Sequence, residues 1–279
     1  MSIISNKNKK FIINNYPNKG AKYCADKCNL LESQVRSLVK RLNIKVTKER
    51  RSFIAKNKIQ KSYTEYNVNP LQFINISTPE CAYILGFLWA DGFLGSQYSI
   101  NTEIVSDDAI VIEKIFLSTG KWHIFHRNRE GYKPQTKFSC NSKMLYEHLI
   151  KLGFKDQNKS PNKILKTIPK KLQHYWFRGY FDGDGCWYYQ SKGYLRQCVI
   201  ASSYVQDWSF IKKLCHKLKI KKCSINRTKR INKKGIENAH SRIRFCSIDA
   251  IIKFGTYIYS GNQFGLTRKL EKFNDMTSS

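Results

Sequence analysis

The chain reads as an α+β protein, with two pseudo-symmetric repeats of the order helix-strand-strand-helix-strand-strand-helix behind a small three-helix unit. Three observations predict this. An apolar run ending in Asp-Gly occurs twice, as Tyr83-Ile-Leu-Gly-Phe-Leu-Trp-Ala-Asp-Gly92 and Trp176-Phe-Arg-Gly-Tyr-Phe-Asp-Gly-Asp-Gly185; Gly86/Gly179, Asp91/Asp184 and Gly92/Gly185 coincide at an offset of 93 residues, 91 to 184. Behind each copy, alternating and helix-period segments follow in the same order. Ahead of both, the first 45 residues carry short stretches of helical periodicity.

In that first unit Phe11, Ile12 and Tyr16 predict one short helix, and Ala21, Cys24, Ala25 and Cys28 a second. Leu31, Val35, Leu38, Val39 and Leu42 predict a third, joined through a tight Asn29–Glu32 connection. On this last helix Ser33, Gln34, Arg36, Ser37, Lys40 and Arg41 lie off the apolar stripe, suiting either a major groove or the solvated basic face of a protein-interaction module. Cys24 and Cys28 share a helix face without a second ligand pair nearby, so a buried face is expected there rather than zinc. Residues 46–74 read as a basic linker. Lys48, Arg50, Arg51, Lys56, Lys58 and Lys61 precede the Asn-rich Tyr66–Pro70, a composition that suits a phosphate-tracking segment or an ordinary tether.

Thr78 is the expected N-cap of the first motif helix, with Pro79 at its first position. Tyr98–Val105 alternates as a strand, and Asp107 and Asp108 open a helix through Phe116. Trp122–Arg127 and Thr136–Cys140 form a hairpin around Gly131, and Asn141 caps a helix to Leu152. The second copy repeats the order with strands at Trp187–Gln190 and Tyr194–Ile200 and a helix at Val205–Leu218. A hairpin at Cys223–Arg230 and Arg242–Cys246 and a helix at Ile248–Tyr257 complete it.

Small residues four apart, Gly86 with Ala90 and Gly179 with Gly183, fall on one face of each motif helix and permit close backbone approach. Packed together, the helices bring Asp91 and Asp184 side by side at C-termini that already carry partial negative charge. Two carboxylates there repel each other, and a divalent cation shared with phosphate oxygens offsets that repulsion. For one copy alone, a helix stopped by glycine beside a solvated Asp explains as much; two copies with the same internal glycine favour the metal site.

Fifty Lys+Arg against twenty Asp+Glu give a net charge of +30 and a pI of about 9.8, a strong bias toward a polyanion such as nucleic acid. A membrane partner is not expected. No apolar run approaches the ~20 residues of a span, and the basic residues follow no long amphipathic pattern. Nine cysteines, an odd number without paired CxxC spacing, together with the lack of a secretory signal, point to reduced thiols. The expected setting is intracellular: the cytoplasm, or the nucleus or an organelle of a host cell, and not secretion. His123 and His126 fall on opposite faces of a predicted strand, so they read as structural.

Ile84–Gly92 and Phe177–Gly185 occupy the nine-residue signature of the LAGLIDADG homing endonucleases, and over residues 75–275 the chain resembles their single-chain, two-motif members. Trp89 replaces the earlier acid in copy one, and Arg178 stands where an aliphatic residue is usual. The string Tyr16-Pro-Asn-Lys-Gly-Ala-Lys-Tyr-Cys24 resembles the trihelical helix-turn-helix domains found beside nucleases. The resemblance implies a helix-turn-helix domain at 1–45, a linker at 46–74 and LAGLIDADG repeats at 75–170 and 171–279, the repeats forming a DNA-binding saddle. It further implies site-specific cleavage of double-stranded DNA by a monomer with Mg2+ or Mn2+, as in the mobility of an intron-encoded or freestanding genetic element. Asp91, Asp184, Gly92 and Gly185 form the implied metal set. Lys159 and Lys269, near the end of each repeat, are the implied catalytic lysines, with ordinary solvated side chains as the alternative. Gln97, Ser99, Asn101 and Glu103 in the first half, and Tyr188, Gln190 and Arg196 in the second, are the strand residues implied to touch bases; an ordinary wet sheet face explains each as well. Two other activities fit the same scaffold, a group I intron RNA maturase and a catalytically inactive DNA-binding regulator. Intein origin is not expected, because the chain starts Met-Ser and lacks a terminal His-Asn pair.

Overall fold

The computed structural model describes residues 4–55, 68–154, 159–190, 195–231, 237–261 and 264–278, which divide into two compact units, 1–62 and 63–279. Lys56, Lys58, Lys61, Tyr66 and Tyr194 lie outside the described residues.

In the first unit, α1 (Asn6–Cys28) bends at Gly20, whose φ of 84° and ψ of −178° break the helix into the two stretches expected there. Left-handed Asn29 (φ 51°) then leads into α2 (Glu32–Arg41). Ile12, Cys24, Ala25, Val35, Leu38 and Val39 form the small core. Leu31 and Leu42, expected on the same stripe, are 69% and 45% exposed, because they flank the helix where the partner stretches no longer cover it. The unit also runs past residue 45. The Thr47 amide donates to Pro17 O at 3.0 Å, the Thr47 hydroxyl caps Arg50 N, and residues 48–55 are helical, so the first part of the expected linker belongs to this unit.

The second unit opens with a short helix, α3 (Pro70–Ile74), capped by Asn69, again inside the expected linker. The first motif helix, α4 (Pro79–Asp91), begins as expected: Thr78 accepts from Cys81 N at 3.3 Å. It is followed by β1 (Gly92–Leu94), β2 (Ser99–Val105), α5 (Ser106–Ser118), β3 (His123–Arg127), β4 (Gln135–Asn141) and α6 (Lys143–Lys151). A short α7 (Ile164–Thr167) leads to the second motif helix, α8 (Gln173–Asp184). Then come β5 (Gly185–Gln190), β6 (Leu195–Ser202), α9 (Ser209–Lys217), β7 (Ser224–Ile231), β8 (Glu237–Phe245), α10 (Ile248–Ile258) and α11 (Thr267–Ser278). The two halves thus share the order αββαββα, with antiparallel sheets β1-β2-β4-β3 and β5-β6-β8-β7. Helix α9 starts four residues later than expected because Asp207 turns the chain, accepting from Ser209 N at 2.9 Å. Ser142, one residue beyond the expected Asn141, caps α6. Among the described residues no helix is long and apolar enough to cross a membrane.

Helices α4 and α8 lie at the centre of the unit and are buried nearly all round, as Cys81–Trp89 and Tyr175–Phe181, apolar but for Arg178, require. A methyl on Gly86 would overlap the Trp176 carbonyl, and one on Gly179 the Tyr83 carbonyl, so reciprocal glycines set the backbone-to-backbone contact. Each sheet lays one face on this pair and leaves the other open.

Candidate active site and nucleic-acid interface

Because the helices pack in register, they end together. A Cβ on Gly183 would lie 2.9 Å from Asp91 Oδ2, which places the first carboxylate directly against the last turn of α8, beside Asp184. Gly92 and Gly185 are extended (φ −79° and −94°) rather than left-handed. They are needed because a side chain would strike the Leu88 carbonyl and the Phe181 ring, and each starts the first strand of its sheet. Burial pushes the Asp184 carboxyl up to about 7, helped by the charge of Asp91 and opposed by Lys159 and Lys269. Asp91 keeps an exposed edge, yet the protein packed around it also raises its pKa, against the pull of Lys269 and then Lys159.

Both lysines are buried, each 6% exposed, so neither is a solvated side chain. Lys159 Nζ donates to Leu88 O (3.5 Å), Ala90 O (3.2 Å) and Gly92 O. Lys269 Nζ donates to Phe181 O (2.8 Å), Asp182 O (2.6 Å) and Gly185 O (2.6 Å). An ammonium has three N–H donors, and each here is spent on carbonyls at the end of a motif helix, of which Leu88 O and Phe181 O also accept from the Gly92 and Gly185 amides. The lysines cap the helices and hold positive charge beside the carboxylates. The Gly92 and Gly185 carbonyls, expected in the metal set, each accept from one of these lysines. The Lys159 carbonyl is fixed in turn by Tyr204 Oη and Gln206 Nε2, both at 3.3 Å and both from the second half.

Among the described residues no three His, Cys, Asp or Glu side chains converge on one point. The donor set is therefore two carboxylates with raised pKa, which fits a hard divalent cation completed by water and substrate phosphate oxygens, the arrangement Mg2+ characteristically takes.

The open sheet faces follow from strand register. In the first sheet Phe93, Ser99, Asn101, Glu103, His123, Phe125, Arg127, Lys137 and Ser139 share the face opposite buried Ile100 and Phe138. Ser99, Asn101 and Glu103 do lie together, but Asn101 is 2% exposed, bonded to the Ser99 and Ser139 hydroxyls, and so is spent on the sheet itself. Glu103 accepts from Arg127 at 3.4 Å. Gln97 is not on the strand: with Tyr98 it forms a turn at positive φ (53° and 59°). In the second sheet Tyr188 is exposed on the open face and pairs with Gln197. Gln190 pairs with Leu195 through its backbone, and its side chain is not among those described. Arg196 pairs with Tyr189 and so falls on the face opposite Tyr188, over the Tyr189 ring at 5.6 Å. Sequence reasoning did not single out Arg242 and Arg244. They stand opposite Ala201 and Val199 on this open face, next to Asn226 and Ser224 of β7. Their alternation within Ser241-Arg-Ile-Arg-Phe245 was the available signal.

On α2 of the first unit, Arg36, Ser37, Lys40 and Arg41 are exposed. Arg36 is paired with Glu32 at 2.9 Å, and Gln34 is spent as a cap, its Oε1 accepting from Leu31 N.

No protein-family model matches the chain, and no curated protein sequence is similar to it at a significant level. Solved structures are similar to it. The homing endonuclease I-WcaI bound to its DNA recognition sequence is 17% identical, with a TM-score of 0.46 over 70% of this chain and 87% of that one. I-DmoI in complex with DNA and Ca is 13% identical, with a TM-score of 0.41 over 71% of this chain and 97% of that one. Full-length DUF199/WhiA from Thermatoga maritima is 14% identical, with a TM-score of 0.38 over 75% of this chain and 64% of that one. These are distant likenesses.

Proposed function

We propose that the chain is a site-specific double-stranded DNA endonuclease of the LAGLIDADG type, hydrolysing phosphodiester bonds with Mg2+ or Mn2+. One observation carries the reading: Asp91 and Asp184 stand side by side at the ends of two crossed helices, each at the start of an antiparallel sheet with an open basic face. Arg127 and Lys137 on one face and Arg242 and Arg244 on the other suit a duplex, whose major groove admits a β-ribbon. Asp91 and Asp184 would hold the cations, which when bound supply positive charge for the phosphorane and a water of lowered pKa. The chain's own part is to hold both carboxylates still at the raised pKa that their burial imposes. The lysine ammoniums offset their repulsion, and the helix contact at Gly86 and Gly179 fixes their spacing. Hydrolysis adds water across the P–O bond, so no further reactant is required. Gly92, Gly185, Lys159 and Lys269 act in this reading through the carboxylates rather than by touching the phosphate. With both carboxylates in one chain, a monomer suffices. The exposed α2 residues Ser37, Lys40 and Arg41 add a second contact with DNA, as a helix-turn-helix unit would.

The test is incubation of the purified protein with a randomised duplex library and Mg2+, sequencing of cut ends, and the Asp91→Asn/Asp184→Asn double mutant in parallel. Metal-dependent cutting at one long motif, lost in the mutant while binding persists, is the expected result. Salt-sensitive binding with no cutting by either protein overturns the nuclease and leaves a binding protein, of DNA or of intron RNA.

A further inference from the structure

Arg178 occupies a place inside the second motif helix where copy one has Leu85, and Asp182 one where copy one has Trp89. Both are buried, 1% and 2% exposed. The Arg178 guanidinium donates to three carbonyls at the end of α10 and in the chain after it: Nε to Ile258 O at 2.6 Å, Nη2 to Ser260 O at 2.9 Å and Nη1 to Phe264 O at 3.1 Å. It lies against the Tyr175, Tyr259 and Phe264 rings at 5.3–5.6 Å. One turn on, Asp182 Oδ2 accepts from Leu266 N at 2.9 Å and from Tyr83 Oη on the other motif helix at 2.7 Å. Gly265 (φ 108°) passes so close that a Cβ would sit 2.6 Å from the same oxygen. Three residues after Leu266 comes Lys269, the cap of α8.

We propose that Arg178 and Asp182 are positioning residues for Lys269. The planar fork gathers three carbonyls in a fixed geometry, the carboxylate fixes the amide at the entry to α11, and Lys269 is thereby held against the end of α8. Among the described residues the first half shows no such polar clamp. There Trp89 packs on Phe154 at 4.9 Å, and Lys159 is held through its carbonyl. The two acid–lysine sets are therefore built differently, and loosening the clamp disables one of them. The strand-specific consequence rests on the endonuclease reading; the clamp itself does not.

The experiment compares Arg178→Leu, which restores the copy-one residue, with Arg178→Lys, which keeps the charge without the fork and stands in if the first variant fails to fold. Amide hydrogen exchange is read at Leu266, Lys269 and Leu270, and plasmid cleavage at the site recovered from the library. Exchange at these amides is expected to rise at least tenfold, with the α4 amides unchanged. Nicked circles are expected to accumulate with every nick on the same strand. Unchanged exchange overturns the clamp. Raised exchange with both strands slowed equally overturns its strand-specific role. If the wild type cuts no DNA, it is the endonuclease reading that has failed, and exchange alone decides the clamp.

Discussion

Gly179→Ala tests the geometry on which the site depends, because two physical effects there have opposite signs. In a helix interior alanine is favoured over glycine by about 0.8–1 kcal/mol. Against that, the new methyl would overlap the Tyr83 carbonyl oxygen and lie 2.9 Å from the Phe87 amide nitrogen, both backbone atoms of the facing helix. A flexible side chain could turn away, but these atoms cannot, so α4 and α8 must separate along their whole contact. Overpacking of a tight core costs about 1–3 kcal/mol, and a backbone obstacle places this site at the upper end. The net expectation is a loss of about 2 kcal/mol, read as a lower urea midpoint with an unchanged slope. Gly86→Ala, which meets the Trp176 carbonyl, should behave alike. A midpoint equal to or above the wild type for either variant would refute the close backbone contact, since propensity alone predicts stabilisation.

Removing a buried capping ammonium by Lys269→Met takes a charge-assisted hydrogen bond from each of three carbonyls, and that loss should lower stability by about 3 kcal/mol; equal urea midpoints would contradict the capping role. The Asp184 carboxyl titrates near 7 in the fold and near 4 when unfolded, so the folded state binds the proton more tightly. In chelator, its contribution to stability should be full below pH 4 and disappear as pH rises through 7; the urea midpoint followed against pH should lose this component in Asp184→Asn. For the same reason Mg2+ should stabilise the protein more at pH 8 than at pH 5, where protons compete for the carboxylates, and an equal thermal shift at both would count against the metal site. Replacing Ser37, Lys40 and Arg41 by alanine should weaken duplex binding and reduce its salt slope by about 2, roughly one per lost phosphate contact; an unchanged slope would remove α2 from the interface.

How much of this was legible depends on whether a feature is local in sequence. The motif helices, their Thr78-Pro79 start and the pairing of Asp91 with Asp184 follow from periodicity, capping chemistry and a duplicated glycine, all within a few residues of one another. Strand faces were legible only where the strand itself bounded the count. Ser99 and Glu103 lie together as expected, whereas Gln97 falls in a turn and Arg196 on the face opposite Tyr188, since side-chain direction alternates along a strand and is set by a register that sequence spacing alone does not fix. The partners of the lysines were not legible at all. Lys159 and Lys269 reach carbonyls 67 and 84 residues away at Gly92 and Gly185, and nothing near either lysine distinguishes it from the forty-eight other basic residues of a chain with fifty. Arg178 shows the same limit from the other side. As a charge in an apolar motif it is anomalous by every local rule, and what satisfies it is carbonyls of Ile258, Ser260 and Phe264, delivered by the end of α10 and the chain after it, 80 to 86 residues downstream. A residue that breaks the local pattern therefore marks where the tertiary fold supplies the missing partners, and for Arg178 that place is the chain at the end of α10 that leads to Lys269.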